Sequence, residues 1–283
     1  KIERGMNIRT RGSQTKRGSL ALQTGSKITP GAAGFLSGLG LDKVRVFGSP
    51  KVCIITTGKE LILPGQFLKY GKVYECNSYS MNAALCELNI KPQKIINVDD
   101  NAIEITNAIE SNLSDCDVMI ISGGISVGDF DLVHASLTKC GVQPIFHRVK
   151  QKPGKPIYFG KYGSKMVFGL PGNPSALLIC YYQYILPALR KMMGQTEIST
   201  EGYLPLSEPY SKKNGLTYFL KGKISDSKVM PLNAQDSNQM NSFAISDCII
   251  ELDEDKTEFY RGEIVTVHYL NATGSPFTVG SRR

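Results

Sequence analysis

Between residues 51 and 194 the chain alternates short, wholly apolar runs with longer segments whose apolar residues recur every three to four positions. An apolar run without polar alternation is what a strand buried on both faces requires, whereas the longer period belongs to a helix with one buried side. On this pattern strands are predicted over 51–56 (K-V-C-I-I-T), 95–98, 118–121, 144–149 and 166–168. Helices are predicted over 78–88, from about 101 with Ile105, Ala108 and Ile109 on one side, over 132–139 and over 175–192. Strand and helix in turn predict an α/β fold, with a doubly wound, mostly parallel sheet over 51–194.

The flanks have a different texture. Residues 1–50 are rich in glycine and basic side chains, and predict a turn and a short helix without enough apolar surface for a core of their own. From 195 to 283 short apolar runs at 217–223, 248–252 and 263–270 are separated by polar, turn-rich stretches, which predicts a small β-rich C-terminal domain.

Charge adds little to this. The chain of 283 residues carries 33 Lys and Arg against 25 Asp and Glu, and nine of the basic residues lie among the first 50. A basic N-terminal segment is compatible with nucleic acid, but its first 34 residues contain no aromatic side chain on which a base could stack. A solvated basic edge is the plainer reading. Seven cysteines at 53, 76, 86, 116, 140, 180 and 248 form no C-x-x-C pair, which argues against a disulfide framework or zinc site and for a reducing, cytoplasmic setting. Histidines occur only at 134, 147 and 268, so a histidine-based metal site is not expected. The uncharged stretch 166–189 is broken by Pro171 and Pro174 and leaves too short a run to cross a bilayer.

Ligands of open α/β sheets bind beyond the carboxyl ends of the strands, and the unusual residues of this chain fall there. The predicted strands are followed by Thr56-Thr57-Gly58-Lys59-Glu60, by Asp99-Asp100, by Ser122-Gly123-Gly124-Ile125-Ser126-Val127-Gly128-Asp129-Phe130-Asp131, by Lys150 to Pro156, and by Gly169 to Pro174. Gly123 and Gly124 would present main-chain N–H groups to an anion. Asn173 and Pro174 suit the cap and first residue of a helix whose N-terminus faces the same rim. Lys152 and Lys155 add cations, and carboxylates among anion-binding groups suit a divalent ion, Mg²⁺ above all, bridging protein and phosphate. Each motif has a plainer reading too: a tight Gly-Gly turn, Asp131 or Asp100 as a helix cap, a solvated lysine loop. Neither G-x-G-x-x-G nor a P-loop motif is present.

The stretches T-T-G-K-E-L, S-G-G-I-S-V-G-D-F-D, K-P-G-K-P and G-L-P-G-N-P-S-A, in this order, closely resemble the MoeA family of molybdopterin molybdenumtransferases, which includes the E domain of gephyrin. The resemblance implies insertion of molybdenum from molybdate into adenylylated molybdopterin, with release of AMP and dependence on a divalent cation. It implies that Glu60, Asp100 and Asp131 are the active-site acids and metal-binding positions. It further implies that Thr57, Gly58, Ser122, Gly123, Gly124, Ser126, Gly128, Asp129, Lys152, Lys155, Pro171, Gly172, Asn173 and Pro174 bind substrate. Ser237, in Q-D-S-N-Q-M, resembles a serine that faces the site across a homodimer. A molybdopterin adenylyltransferase is the implied delivery partner.

The same resemblance makes residues 1–50 the remainder of an N-terminal domain, in a chain expected to lack what precedes Lys1. Three departures stand out: Gly12-Ser13-Gln14 for Gly-Glu-Asp, Lys59 for Asp, and Lys221 where the family has an Arg that suits bidentate phosphate recognition. A catalytically impaired molybdopterin-binding scaffold is therefore the alternative, with an adenylyltransferase disfavoured by the β-rich extension.

Overall fold

The computed structural model describes residues 3–125, 131–195 and 199–270. In the α/β region the strands are β1 (Val52–Thr57), β2 (Lys94–Val98), β3 (Val118–Ser122), β4 (Gln143–His147), β5 (Tyr158–Tyr162) and β6 (Lys165–Leu170). They form one sheet in the order β2-β1-β3-β6-β5-β4. The first four in that order are parallel. β5 is antiparallel to both β6 and β4, so β4 again runs with the parallel set. The carboxyl ends of β1, β2, β3, β4 and β6 consequently share one rim.

The helices are α1 (Pro30–Gly38), α2 (Asn77–Glu87), α3 (Ala102–Leu113), α4 (Leu132–Lys139), α5 (Pro174–Cys180) and α6 (Leu186–Met192). β1 and β3 are buried along their whole length because helices cover both faces. Val52, Ile54, Val118 and Ile120 pack with Met81 and Leu85 of α2 and with Leu177 and Leu189 of α5 and α6. Cys53, Ile55, Met119 and Ile121 point the other way, onto Ile105 and Ile109 of α3 and Val133 and Leu137 of α4. The chain thus passes from β1 to β2 over one face and returns over the other to β3, placing the topological switch point between β1 and β3.

Two features depart from the sequence pattern. β5, Y-F-G-K-Y, was not expected, because Gly160 and Lys161 interrupt its apolar run. The helix expected over 175–192 is broken by a π-helical turn at Tyr181–Ile185. Pro187 lacks an N–H and its ring would press on the preceding turn, and widening that turn relieves both conflicts.

Five further strands, β7 (Glu201–Pro205), β8 (Thr217–Ser225), β9 (Lys228–Pro231), β10 (Cys248–Leu252) and β11 (Ile264–Tyr269), build the C-terminal sheet. Its order is β7-β11-β10-β8-β9 and these strands pair antiparallel throughout. It has its own core around Leu220, Ile250 and Val267. It is also continuous with the α/β body: Phe219, Phe243, Ile249 and Leu270 join the α5–α6 core, and Gln151–Lys152 pairs in parallel with β8. In the N-terminal segment Thr29 caps α1 by accepting from the Ala32 N–H at 3.2 Å, and Leu36 is the one buried residue of that helix. Phe47 lies against Gly194 after α6.

Candidate active site

At the switch point the backbone of β3 runs out into Gly123 and Gly124, both left-handed, at φ 89° and 62°. Neither position has room for a side chain. A Cβ on Gly123 would stand 2.3 Å from the Thr57 carbonyl oxygen, and one on Gly124 would stand 2.7 Å from Val133 Cγ2 and 3.3 Å from Asp100 Oδ1. From the other side Gly172 comes within 3.5 Å of the Gly123 Cα, measured from its own Cβ position. Thr57 at the end of β1 and Asp100, Gly123, Gly124 and Gly172 from three loops are therefore linked by a chain of close approaches. Ser126, Gly128 and Asp129 lie outside the described residues.

The three acids differ in what surrounds them. Asp100 is exposed beside the glycines, and its Oδ1 accepts a long hydrogen bond, 3.5 Å, from Thr57 Oγ1. It does not cap α3. Asn101 does, accepting from the N–H groups of Ile103 and Glu104 at 3.0 Å each. Asp131 caps α4, with Oδ1 accepting from the His134 N–H at 2.8 Å. Its Oδ2 is buried without a hydrogen-bond partner and lies 3.5 Å from His147 Nε2. Burial holds the His147 imidazole below its ordinary range, with the Asp131 carboxylate pulling the other way. His134 stacks on His147 at 4.9 Å between ring centroids. Glu60 is exposed on the β1 loop, its Oε1 2.9 Å from the Cβ position of Gly58. Among the described residues no three His, Cys, Asp or Glu side chains gather as a metal cluster.

The lysine loop reaches the C-terminal sheet. Lys152 and Lys155 are both exposed, and Lys152 Nζ stands over the Tyr218 ring at 5.1 Å. Gly154 turns inward, between Cys180 and Gln151. In the last loop Pro171 is buried, while Gly172 and Asn173 are exposed. Asn173 begins α5 but its side chain caps nothing; its Nδ2 donates to Ser237 Oγ at 2.9 Å. The Ser175 N–H donates to the Ser237 carbonyl at 3.0 Å, so one of the N-terminal amides expected to face an anion is already used. Ser237 reaches this loop within its own chain.

One organising residue was missed by sequence reasoning. Asn77, buried at the start of α2, donates from Nδ2 to Ser122 Oγ and to the Gly172 carbonyl, at 2.8 Å each. It ties β3 to the proline loop. Lying one residue before the helix expected at 78–88, it gave only a weak local signal. Lys221, at the position of the family's Arg, lies within β8. It is 1% exposed and faces inward.

Such a rim, with a glycine cradle and an acid at the switch point, belongs to a doubly wound α/β domain joined to a β-rich one, in which ligands bind beyond the carboxyl ends of the strands. Residues 53–191 match a family model described as "Probable molybdopterin binding domain", and residues 203–270 match one described as "MoeA C-terminal region (domain IV)". A molybdopterin molybdenumtransferase of Haemophilus influenzae is 31% identical over 272 residues, which cover 94% of this chain and 67% of the relative. One from Synechocystis is 32% identical, over 92% of this chain and 66% of the relative. The crystal structure of the molybdopterin biosynthesis MoeA protein of Pyrococcus horikoshii superposes with a TM-score of 0.79 at 28% identity, covering 92% of this chain and 64% of that one. The chain belongs to the MoeA family of molybdopterin molybdenumtransferases. It spans about two thirds of the length of the relatives it matches.

Proposed function

We propose that this chain carries out the molybdenum insertion for which its relatives are named, accepting adenylylated molybdopterin and molybdate and releasing AMP. The observation that supports this most directly is the cradle of Gly123 and Gly124, wedged against Thr57 and Gly172 with the Asp100 carboxylate alongside. The Gly123 N–H is donated to the Leu170 carbonyl at 3.2 Å, so the left-handed Gly124 is the position that would offer a main-chain N–H to a phosphate without an intervening Cβ. Exposed Lys152 and Lys155 would balance the charge of phosphate and molybdate, and Ser122, Pro171, Gly172 and Asn173 would shape the pterin-nucleotide side of the cleft. Gly58, Pro174 and Ser237 would support these loops from behind.

A magnesium ion fits the donor set in a limited form. Mg²⁺ is ordinarily held by one or two carboxylates together with substrate phosphate and water, with no need for a protein cage. Asp100, exposed beside the cradle, suits that part; Glu60 is a second exposed carboxylate on the same rim. Asp131 is the weaker candidate as the structure stands, because one oxygen caps α4 and the other is buried against His147. When bound, the ion would neutralise phosphate charge on the leaving AMP. Asp100 would hold the ion beside the phosphate, and the Gly124 N–H would bind a phosphate oxygen.

The domain division at 50/51 and 194/195 belongs to the same proposal, as do a homodimer, a molybdopterin adenylyltransferase as delivery partner and a cytoplasmic setting. Seven free cysteines support a reducing compartment. No helix among the described residues is long and apolar enough to cross a membrane. Exposed Phe67 and Tyr70, on the loop beyond β1, are consistent with a contact surface.

The cradle is tested by equilibrium binding of adenylylated molybdopterin to the wild type and to Gly124→Ala. The added methyl meets Val133, Thr57 and Asp100 and is expected to weaken binding at least about tenfold, by strain at a left-handed position. Unchanged affinity would remove the cradle from the binding site.

A further inference from the structure

Lys221 lies in the middle of β8, and its ammonium points into a closed ring of main-chain carbonyls. Nζ donates to Ala234 O at 2.7 Å, to Gln239 O at 3.1 Å and to Asp236 O at 3.3 Å. An ammonium has three N–H donors, and here all three are used inside the protein. The main chain of the same residue is gripped as well. Gln235 Oε1 accepts from the Lys221 N–H and Gln235 Nε2 donates to the Lys221 carbonyl, both at 2.9 Å. Asp236 and Gln239 close the turn between them, the Asp236 N–H donating to Gln239 Oε1 and the Gln239 N–H to the Asp236 carbonyl, at 3.1 Å each.

The turn so fixed presents Ser237, which accepts from Asn173 Nδ2 on its hydroxyl and from the Ser175 N–H on its carbonyl. Asn77 then joins Gly172 to Ser122. Hydrogen bonds linked by one or two residues of main chain therefore run from the C-terminal sheet, through the turn at 234–239 and the proline loop, to the end of β3.

We infer that Lys221 is a positioning residue: its buried ammonium holds the 234–239 turn, and through Ser237 the turn holds the loop at 172–175 against the site, so that the C-terminal domain braces the site of its own chain. This rests on the site reading above and goes beyond it, because the Lys221 ammonium spends all three of its donors inside the protein. It also accounts for lysine at a position where the resemblance implied arginine. The five donors of a guanidinium, set in a planar fork, do not match three carbonyls arranged around a point.

The experiment is hydrogen exchange, read peptide by peptide, on the wild type, Lys221→Met and Gln235→Ala, with steady-state AMP release from adenylylated molybdopterin in parallel. Lys221→Met is expected to speed exchange at least about tenfold at 232–242 and at the Ser175 amide, while β1 and β3 stay protected. In the activity assay KM is expected to rise about tenfold with kcat changed much less, since a loosened loop costs binding before chemistry. Gln235→Ala is expected to give the same pattern in weaker form, and it carries the test if Lys221→Met does not fold. Unchanged exchange at 232–242 and Ser175 would overturn the inference. So would a collapse of kcat with KM and exchange unaltered, which would place Lys221 at the reacting atoms. A wild type that binds the pterin without releasing AMP would overturn the activity instead, and the exchange pattern would then decide the brace alone.

Discussion

At the scale of single residues, the chain separates polar groups that face the rim from identical groups sealed inside. Asp100 and Asp131 are both acids beside a strand end, yet Asp100 stays exposed because Asn101 takes over the capping of α3, while Asp131 is drawn in to cap α4. That division was not legible in the sequence, where either acid suits a cap. It depends on His147, sixteen positions further on and adjacent only once β4 is in place. Lys221 hides in the same way, since nothing local to β8 announces the carbonyls of the turn at 234–239. The glycines were legible, because a Gly-Gly pair after an apolar run has few structural uses. The cysteines make a separate prediction. Burial pushes the thiols of Cys116 and Cys248 up to about 12 and raises those of Cys53 and Cys180, so at pH 8 they are thiols rather than nucleophilic thiolates. Iodoacetamide at that pH is expected to modify exposed Cys86 in the folded protein and to leave these four unmodified until denaturant is added. Mass spectrometry of the digested protein checks this, and modification of Cys180 in the native state would contradict it.

At the scale of elements, the strands that carry the site are those the sequence showed most clearly. β1 and β3 are covered on both faces, so each reads as an uninterrupted apolar run with its boundary where the loop chemistry begins. β5 was invisible because a glycine and a lysine break its pattern, and the turn at Tyr181–Ile185 was invisible because Pro187 acts on the preceding residues. Asn77 shows how elements are joined at the site: one amide links the start of α2, the end of β3 and the loop before α5. Replacing Asn77 by Ala removes two hydrogen bonds from a buried group, at an expected cost of about 1–3 kcal/mol. Asp at the same position cannot donate and is expected to be no better. Urea unfolding of the two variants measures the loss, and wild-type stability in both would show that the proline loop is held by other contacts.

At the scale of the molecule, two sheets act as one body. The C-terminal domain contributes Phe219, Phe243, Ile249 and Leu270 to the core that supports α5 and α6, pairs β8 with Gln151–Lys152 next to the lysine loop, and reaches the proline loop with Ser237. The rim collects loops from both halves of a doubly wound sheet, which is why residues from 57 to 237 meet there. A chain built this way and belonging to this family is expected to do chemistry at the rim as well as bind there. The most direct test is AMP release from adenylylated molybdopterin, with and without molybdate and Mg²⁺, by the wild type and Asp100→Asn. Release is expected to require both molybdate and Mg²⁺ and to fall at least about a hundredfold in the variant, as loss of a group that orients charge at the reacting phosphate should produce. Tight binding of the pterin nucleotide with no AMP released by the wild type would contradict it and leave a binding scaffold.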